Sequence, residues 1–87
     1  MTKELLFRAN DLQDCISGNQ RALRDEQERI IKLLQMDNRI DGTITVRISE
    51  EIGWANVLVE DVIKVSERRC ETLKELIEKY QTEFDNL

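Results

Sequence analysis

The sequence predicts a mainly α-helical protein with one domain, residues 1–87, built as an antiparallel helical hairpin with a β-strand or short β-hairpin at its tip. Three patterns predict this class. The last third repeats apolar residues at intervals of three and four, a β-branched run interrupts the middle, and the N-terminal half matches the C-terminal helix in length. A helix with one continuous apolar stripe needs a partner along its length. We expect a kinked N-terminal helix pair packed on one long C-terminal helix.

The first predicted helix covers residues 1–17. Thr2 can cap its start, because a threonine side chain accepts a hydrogen bond from the free amides of a first turn. Gly18 and Asn19 follow this helix, and both residue types leave the right-handed helical region readily. We therefore expect a kink or a short break there. The apolar positions that define this helix are Leu5, Leu6, Ala9, Leu12 and Ile16.

The second predicted helix covers residues 20–36. Oppositely charged side chains four residues apart, such as Arg24 and Glu28, mark its solvent side. Asn19 and Glu26 interrupt the heptad phase of the N-terminal half, which favours a folded hairpin over an extended zipper. The apolar face of this helix consists of Leu23, Ile30, Ile31, Leu33 and Leu34.

A strand is predicted at residues 43–49, where polar and apolar residues alternate in a β-branched run. A three-residue loop ahead of it would pair residues 36–42 with the strand. Without such a hairpin, both strand edges would need backbone partners, and the same strand of a second copy could supply them. Two-fold pairing would place Ile44, Val46 and Ile48 in a dimer interface.

The long final helix is predicted at residues 54–86, after a turn that ends at Gly53. Its stripe is apolar except at Ser66, and Cys70 within it is expected to be a buried small hydrophobe. The stripe residues expected to form the core or a dimer interface are Val59, Ile63, Leu73, Ile77, Tyr80 and Phe84. A second apolar flank, wide enough to meet another subunit, consists of Leu58, Val62, Val65 and Leu76.

The composition of the chain narrows the range of functions to expect. The net charge of −5 argues against a generic nucleic-acid or anionic-membrane binder, since both attract basic proteins. With 87 residues and only 5% aromatics the core is thin, and oligomerisation into a helical bundle would relieve that. No signal peptide or apolar span is visible, and two cysteines are too few for a disulfide framework. We expect a cytoplasmic protein.

The sequence contains few residues that indicate catalysis or metal binding. The chain has no histidine, which removes the usual general base and a common zinc ligand. Residues 37–44 resemble the calcium loop of the EF-hand family, with an acidic first and fifth position and a glycine sixth. However, Arg39 and Ile48 stand where that loop needs oxygen ligands. We therefore expect no metal, no cofactor and no enzymatic activity.

Four residues are candidate contacts for a partner or ligand: Arg47, Trp54, Arg68 and Arg69. We expect Trp54 to cap the end of the core, and an exposed anchor is the alternative. Arg69 falls beside the apolar stripe, so its guanidinium is placed to pair across the helices.

The leading hypothesis is a non-enzymatic homo-oligomer that binds another protein as a regulator, adaptor or inhibitor, of the kind often found in phages and mobile elements. The acidic surface makes basic protein surfaces plausible targets. The alternative is an oligomer that sequesters a small anionic ligand, such as a nucleotide, between arginines of several subunits.

Overall fold

The computed structural model describes residues 2–36 and 42–87, and it is mainly helical with one small antiparallel sheet. The elements follow one another as α1 (Lys3–Gln35), β1 (Thr43–Ser49), β2 (Gly53–Leu58) and α2 (Val59–Asp85). The predicted class, mainly helical with a short β-hairpin, is therefore confirmed at this level.

The first helix, α1, is continuous, so the expected break between two N-terminal helices is wrong. Thr2 does cap its start, with the Leu5 amide donating to the Thr2 hydroxyl oxygen over 3.1 Å. At the expected break, Gly18 keeps a negative φ and the Asn19 side chain donates to the Cys15 carbonyl over 2.8 Å. A mid-helix glycine costs only about 1 kcal/mol relative to alanine. Packing of apolar residues on both sides of it outweighs that cost.

The strand β1 has the predicted bounds, but its partner lies after it in the chain. Residues 53–58 form β2, so the prediction that Trp54 opens the final helix is wrong, and α2 begins at Val59. Gly53 has a φ of 85°, a value that a side chain would strain, and it reverses the chain between the strands. Met36 lies outside the sheet, and the rest of the alternative pairing with residues 36–42 falls on residues 37–41, outside the described residues.

The two helices pack on each other over a small core. Two ion pairs join them: Arg8 near the start of α1 with Glu83 near the end of α2, and Glu26 in α1 with Arg69 in α2. Cys70 is buried, as expected. The buried apolar residues are Leu12, Ile16, Leu33, Val59, Cys70 and Leu73.

The molecule is elongated and thin. Its Cα atoms extend over 60 × 29 × 14 Å, with a radius of gyration of 18.1 Å. A compact chain of this length has a radius of gyration of about 12 Å. The accessible surface is 7119 Å², whereas a compact monomer of the same mass exposes about 5,400 Å². The fold thus leaves about 1,700 Å² more surface in water than a compact monomer would.

Candidate interaction surfaces

The two strands form a ribbon with two different faces. In the antiparallel register, Ile44 lies opposite Val57 and Val46 opposite Ala55. These four side chains share one face and are partly buried. On the other face Thr45 lies opposite Asn56, and the Thr45 hydroxyl donates to the Asn56 side-chain oxygen over 2.7 Å.

Large apolar side chains are exposed at the turn end of this ribbon. Trp54 is 68% exposed, Ile52 is 69% exposed and Ile48 is 54% exposed. The expectation that Trp54 caps the core is therefore wrong for the single chain. It lies on a strand opposite Arg47, on the face that includes Thr45 and Asn56, and so points away from the partly buried apolar face. We call Ile48, Ile52 and Trp54 the ribbon tip.

Local bonds give the ribbon tip its shape. The Ile52 amide donates to the Ser49 hydroxyl oxygen over 3.0 Å, which closes the turn. The register shifts between Arg47 and Ser49, so Ile48 sits in a bulge. Bulges bend a strand and change the direction of a side chain. Arg47 lies 3.6 Å from the Glu50 carboxylate, an exposed pair of little energetic weight.

A polar cluster lies between the two helices. Glu26 is 5% exposed and Ser66 is 3% exposed, and these are the buried polar residues of the described chain. Arg29 donates to the Glu26 carboxylate over 2.8 Å from the same helix, and Arg69 lies 3.3 Å from the same oxygen. The Ser66 side chain also interacts with the Glu26 carboxylate and helps to lower its pKa. Glu26 interrupts the apolar pattern of α1, and Ser66 interrupts the apolar stripe of α2. These two polar residues therefore lie together between the helices.

The surroundings of Glu26 settle its charge. Burial by itself raises the pKa of this carboxyl group, because it disfavours the ionised form. The hydrogen bonds from Ser66 and Arg29, with the positive charges of Arg29 and Arg69, act in the opposite direction and prevail. The pKa of Glu26 lies below its ordinary value of 4.5, so it is a carboxylate at neutral pH.

The candidate ligand-binding arginines are not brought together in one chain. Arg69 pairs across the helices, as the sequence suggested, and its partner is Glu26, which the sequence did not identify. Arg47 lies on the ribbon beside Glu50. Arg68 is exposed on α2. A site between several subunits could still gather them, so the anionic-ligand alternative stays a prediction.

A shallow groove runs along one side of the helix pair, as a row of four open hollows of 330 to 610 Å³. Each hollow is lined from both helices. Part of the lining repeats every seven positions, and other lining residues, among them Asp14, Ser17 and Glu71, lie outside this repeat. The floor consists of Ile16, Leu23, Ile30, Ile63, Cys70, Ile77 and Phe84. The α1 rim consists of Gln13, Gln20, Gln27 and Leu34, and the α2 rim of Glu60, Glu67, Lys74 and Gln81.

The ion pairs between the helices lie on the other side. None of the paired residues Arg8, Glu26, Arg69 and Glu83 lines these four hollows. At 100° per residue, Glu26 and Gln27 point to opposite flanks of the line between the helices. Ion pairs thus bridge one side of the helix pair, while the groove side stays open.

Two kinds of feature are not found among the described residues. Within residues 2–36 and 42–87, no three His, Cys, Asp or Glu side chains are grouped so that they could hold a metal ion. The EF-hand-like positions fall largely on residues 37–41, outside the described residues. No described helix is both long and apolar enough to cross a bilayer.

Comparison with protein-family models, with curated proteins and with solved structures finds no match to this chain. The surfaces are therefore interpreted from their own geometry. Sequence reasoning named Trp54 but missed the ribbon tip as a group. The signal was present: Trp54 to Leu58 alternates outward and inward residues directly after a glycine. Sequence reasoning also missed the groove, whose signal is the seven-residue repeat of glutamines in α1.

Proposed function

We propose that this chain is a non-enzymatic protein-interaction module that acts as a regulator, adaptor or inhibitor. In this proposal the helices form an antiparallel hairpin that assembles into a homo-oligomeric scaffold. The ribbon presents the surface that recognises the target protein. The apolar stripe and flank of α2 belong to the helical scaffold, and the ribbon tip makes the contact with the target.

One observation supports this function above the others, namely the exposure of Ile48, Ile52 and Trp54 within seven residues of one another. Each such side chain buried from water contributes about 1.5 to 3 kcal/mol. Tryptophan in particular is enriched among the residues that dominate binding energy. Because the ribbon's contacts are mostly internal, and an isolated two-stranded ribbon is only marginally stable, contact with a target would also stabilise the ribbon.

The charge beside the tip indicates the chemistry of the target. Glu50 and Glu51 lie in the turn, and both are exposed. The chain as a whole has a net charge of −5. A complementary surface is an apolar pocket with lysine or arginine at its rim, which would also speed association at low salt.

The test is affinity capture from cells of the native host with the wild-type chain, Trp54→Ala and Phe7→Ala. Phe7 is 70% exposed near the start of α1, so it is a matched exposed aromatic residue outside the ribbon, the groove lining and the apolar stripe and flank of α2. We expect one captured protein whose recovery falls about tenfold or more with Trp54→Ala and is retained with Phe7→Ala. Equal capture by both variants would remove the ribbon tip from the proposed function.

The chain has a single tryptophan, which supplies an independent check. In the purified protein alone we expect Trp54 fluorescence to be quenched by acrylamide as readily as that of a free indole. Addition of the captured target should protect it. Protection in the absence of the target would assign Trp54 to the contact between copies instead.

The predicted strand pairing between copies through Ile44, Val46 and Ile48 stays a prediction. It was motivated by a strand with two free edges, and β2 now occupies one edge of β1. The outer edge could still pair with a second copy. Such a dimer would bring two ribbons together.

A further inference from the structure

The α1 rim of the groove has a symmetric order of residues. With Leu6 added, the rim residues of α1 are spaced by seven throughout, in the order Leu, Gln, Gln, Gln, Leu. This order is the same in both directions and is centred on Gln20. A surface that reads identically in both directions fits a second copy turned by two-fold rotation. The series consists of Leu6, Gln13, Gln20, Gln27 and Leu34.

We propose that the grooved face binds a second copy of this chain, with α1 antiparallel to the α1 of that copy and the two-fold axis at Gln20. Gln20 then meets its own equivalent, and Gln13 meets the equivalent of Gln27. Leu6 meets the equivalent of Leu34. This inference specifies the oligomer of the proposed function, and it is independent of what the ribbon binds.

The exposed area agrees with this occupant. The chain exposes about 1,700 Å² more than a compact monomer, and a typical stable interface covers about 800 Å² on each partner. Leu6 is 52% exposed and Leu34 is 67% exposed in the single chain. In the proposed dimer, Leu6 of one copy and Leu34 of the other cover each other at each end of the interface. It also encloses the groove floor, which two helices alone leave open.

The charges agree as well. Where the two α1 rims meet in this arrangement, neutral amides face neutral amides and leucine faces leucine, so the two α1 rims bring no like charges together. The opposite side of α1 carries Asp11 and Arg29, and Arg29 is already bound to Glu26 of its own helix.

The arrangement has a consequence for function. Since the axis crosses the helices at right angles, the two ribbons lie at opposite ends of the dimer. The α1 helix alone is about 50 Å long. A dimer of this kind presents two ribbon tips about one helix length apart, which suits an adaptor that bridges two target molecules.

The first test is a disulfide between copies of the purified full chain. Gln20→Cys in a Cys15→Ser background should form a covalent dimer on mild oxidation, because residues on the axis approach within the distance a disulfide needs. Ala22→Cys in the same background is the control, since residue 22 points to the other side of α1. The Ala22→Cys variant should run as a monomer on a non-reducing gel, with no covalent dimer.

The second test measures affinity by sedimentation of the purified chain without any target. Gln20→Glu places two like charges on the axis and should weaken dimerisation about tenfold or more, whereas Gln20→Leu should tighten it. Asn10→Asp, an amide-to-acid change at an exposed position outside the groove lining, should leave the affinity near that of wild type. Circular dichroism confirms that each variant keeps its helices.

Three outcomes would overturn the proposal: a strict monomer at tens of micromolar, a covalent dimer through residue 22 but not residue 20, or a dimer insensitive to Gln20→Glu. Target capture plays no part in these measurements. A failure here therefore leaves the ribbon-tip function standing, and a failure of Trp54-dependent capture leaves the dimer standing.

Discussion

The helix interface and the ribbon break the usual distribution of side chains in opposite ways. Between the helices, Glu26 and Ser66 are polar and buried. On the ribbon, Ile52 and Trp54 are apolar and exposed. Burial of a charge and exposure of a large apolar group are both costly, so each region needs a compensating contact.

The compensation differs between the two regions. Glu26 receives hydrogen bonds and positive charge from Ser66, Arg29 and Arg69, all within the same chain. The ribbon tip receives no comparable cover from the described residues, since its three large apolar side chains remain more than half exposed. A buried polar group that is compensated within the chain, such as Glu26, contributes to the fold. An exception left open is the better candidate for binding.

The largest expected effect contrasts core and tip directly. Leu12 is only 1% exposed between the helices, so Leu12→Ala should lower the free energy of unfolding by about 2 to 5 kcal/mol. Ile52→Ala removes a similar volume from a side chain that is 69% exposed. It should change the stability by no more than about 0.5 kcal/mol. Urea unfolding at one fixed protein concentration measures both, and a similar loss in the two variants would show that the tip is buried in the protein as it exists in solution.

The sequence predicted the elements whose signal is local and unmixed. Thr43 to Ser49 alternates cleanly, and its strand bounds were correct. Residues 54–58 also alternate, but they run directly into the apolar stripe of α2, so strand and helix patterns overlap there. Gly18 and Asn19 favour a break in isolation. Tertiary packing decides whether residues 54–58 form a strand or a helix and whether α1 continues through Gly18 and Asn19. A local sequence pattern carries no information about that packing.

The polar exceptions were visible in the sequence but could not be matched from it. Ser66 was the one polar position in the α2 stripe, and Glu26 was one of two residues that broke the phase of the N-terminal half. Their pairing depends on the relative axial position of the two helices. That position is set by packing along the whole interface, so periodicity alone could not place Ser66 against Glu26.

An intermediate effect is expected at this pair. Ser66→Ala removes a hydrogen bond from a buried carboxylate, which should cost about 1.5 to 3 kcal/mol, although it makes the α2 stripe more apolar. Glu26→Leu in addition removes the buried charge itself. Arg29 and Arg69 are more than half exposed and can turn to water.

We therefore expect the double variant, Glu26→Leu with Ser66→Ala, to be as stable as wild type or more stable, as often happens when a buried ionic group is replaced by apolar residues. Denaturant unfolding of the two single variants and the double variant completes the cycle. Losses that simply add would show that Glu26 and Ser66 do not depend on each other, contrary to the arrangement described above.

The smallest expected effect is a dependence of stability on pH at Glu26. Its pKa is below 4.5 in the folded chain and close to 4.5 in the unfolded chain, so the unfolded chain binds the proton first as pH falls. The stability that ionised Glu26 contributes is complete above about pH 4.5 and is lost as the pH falls through the lowered pKa of the folded state.

Glu26→Gln lacks this contribution. The difference in unfolding free energy between wild type and Glu26→Gln should thus be largest near neutral pH and shrink in acid. Arg69→Gln removes one of the causes that lower the pKa of folded Glu26. In that background the difference near neutral pH should be smaller, and its loss in acid should be complete at a higher pH. A difference that stays constant from neutral pH to well below pH 4.5 would mean that the carboxylate gains nothing from its three neighbours, and the contrast with the unsatisfied ribbon tip would then fail.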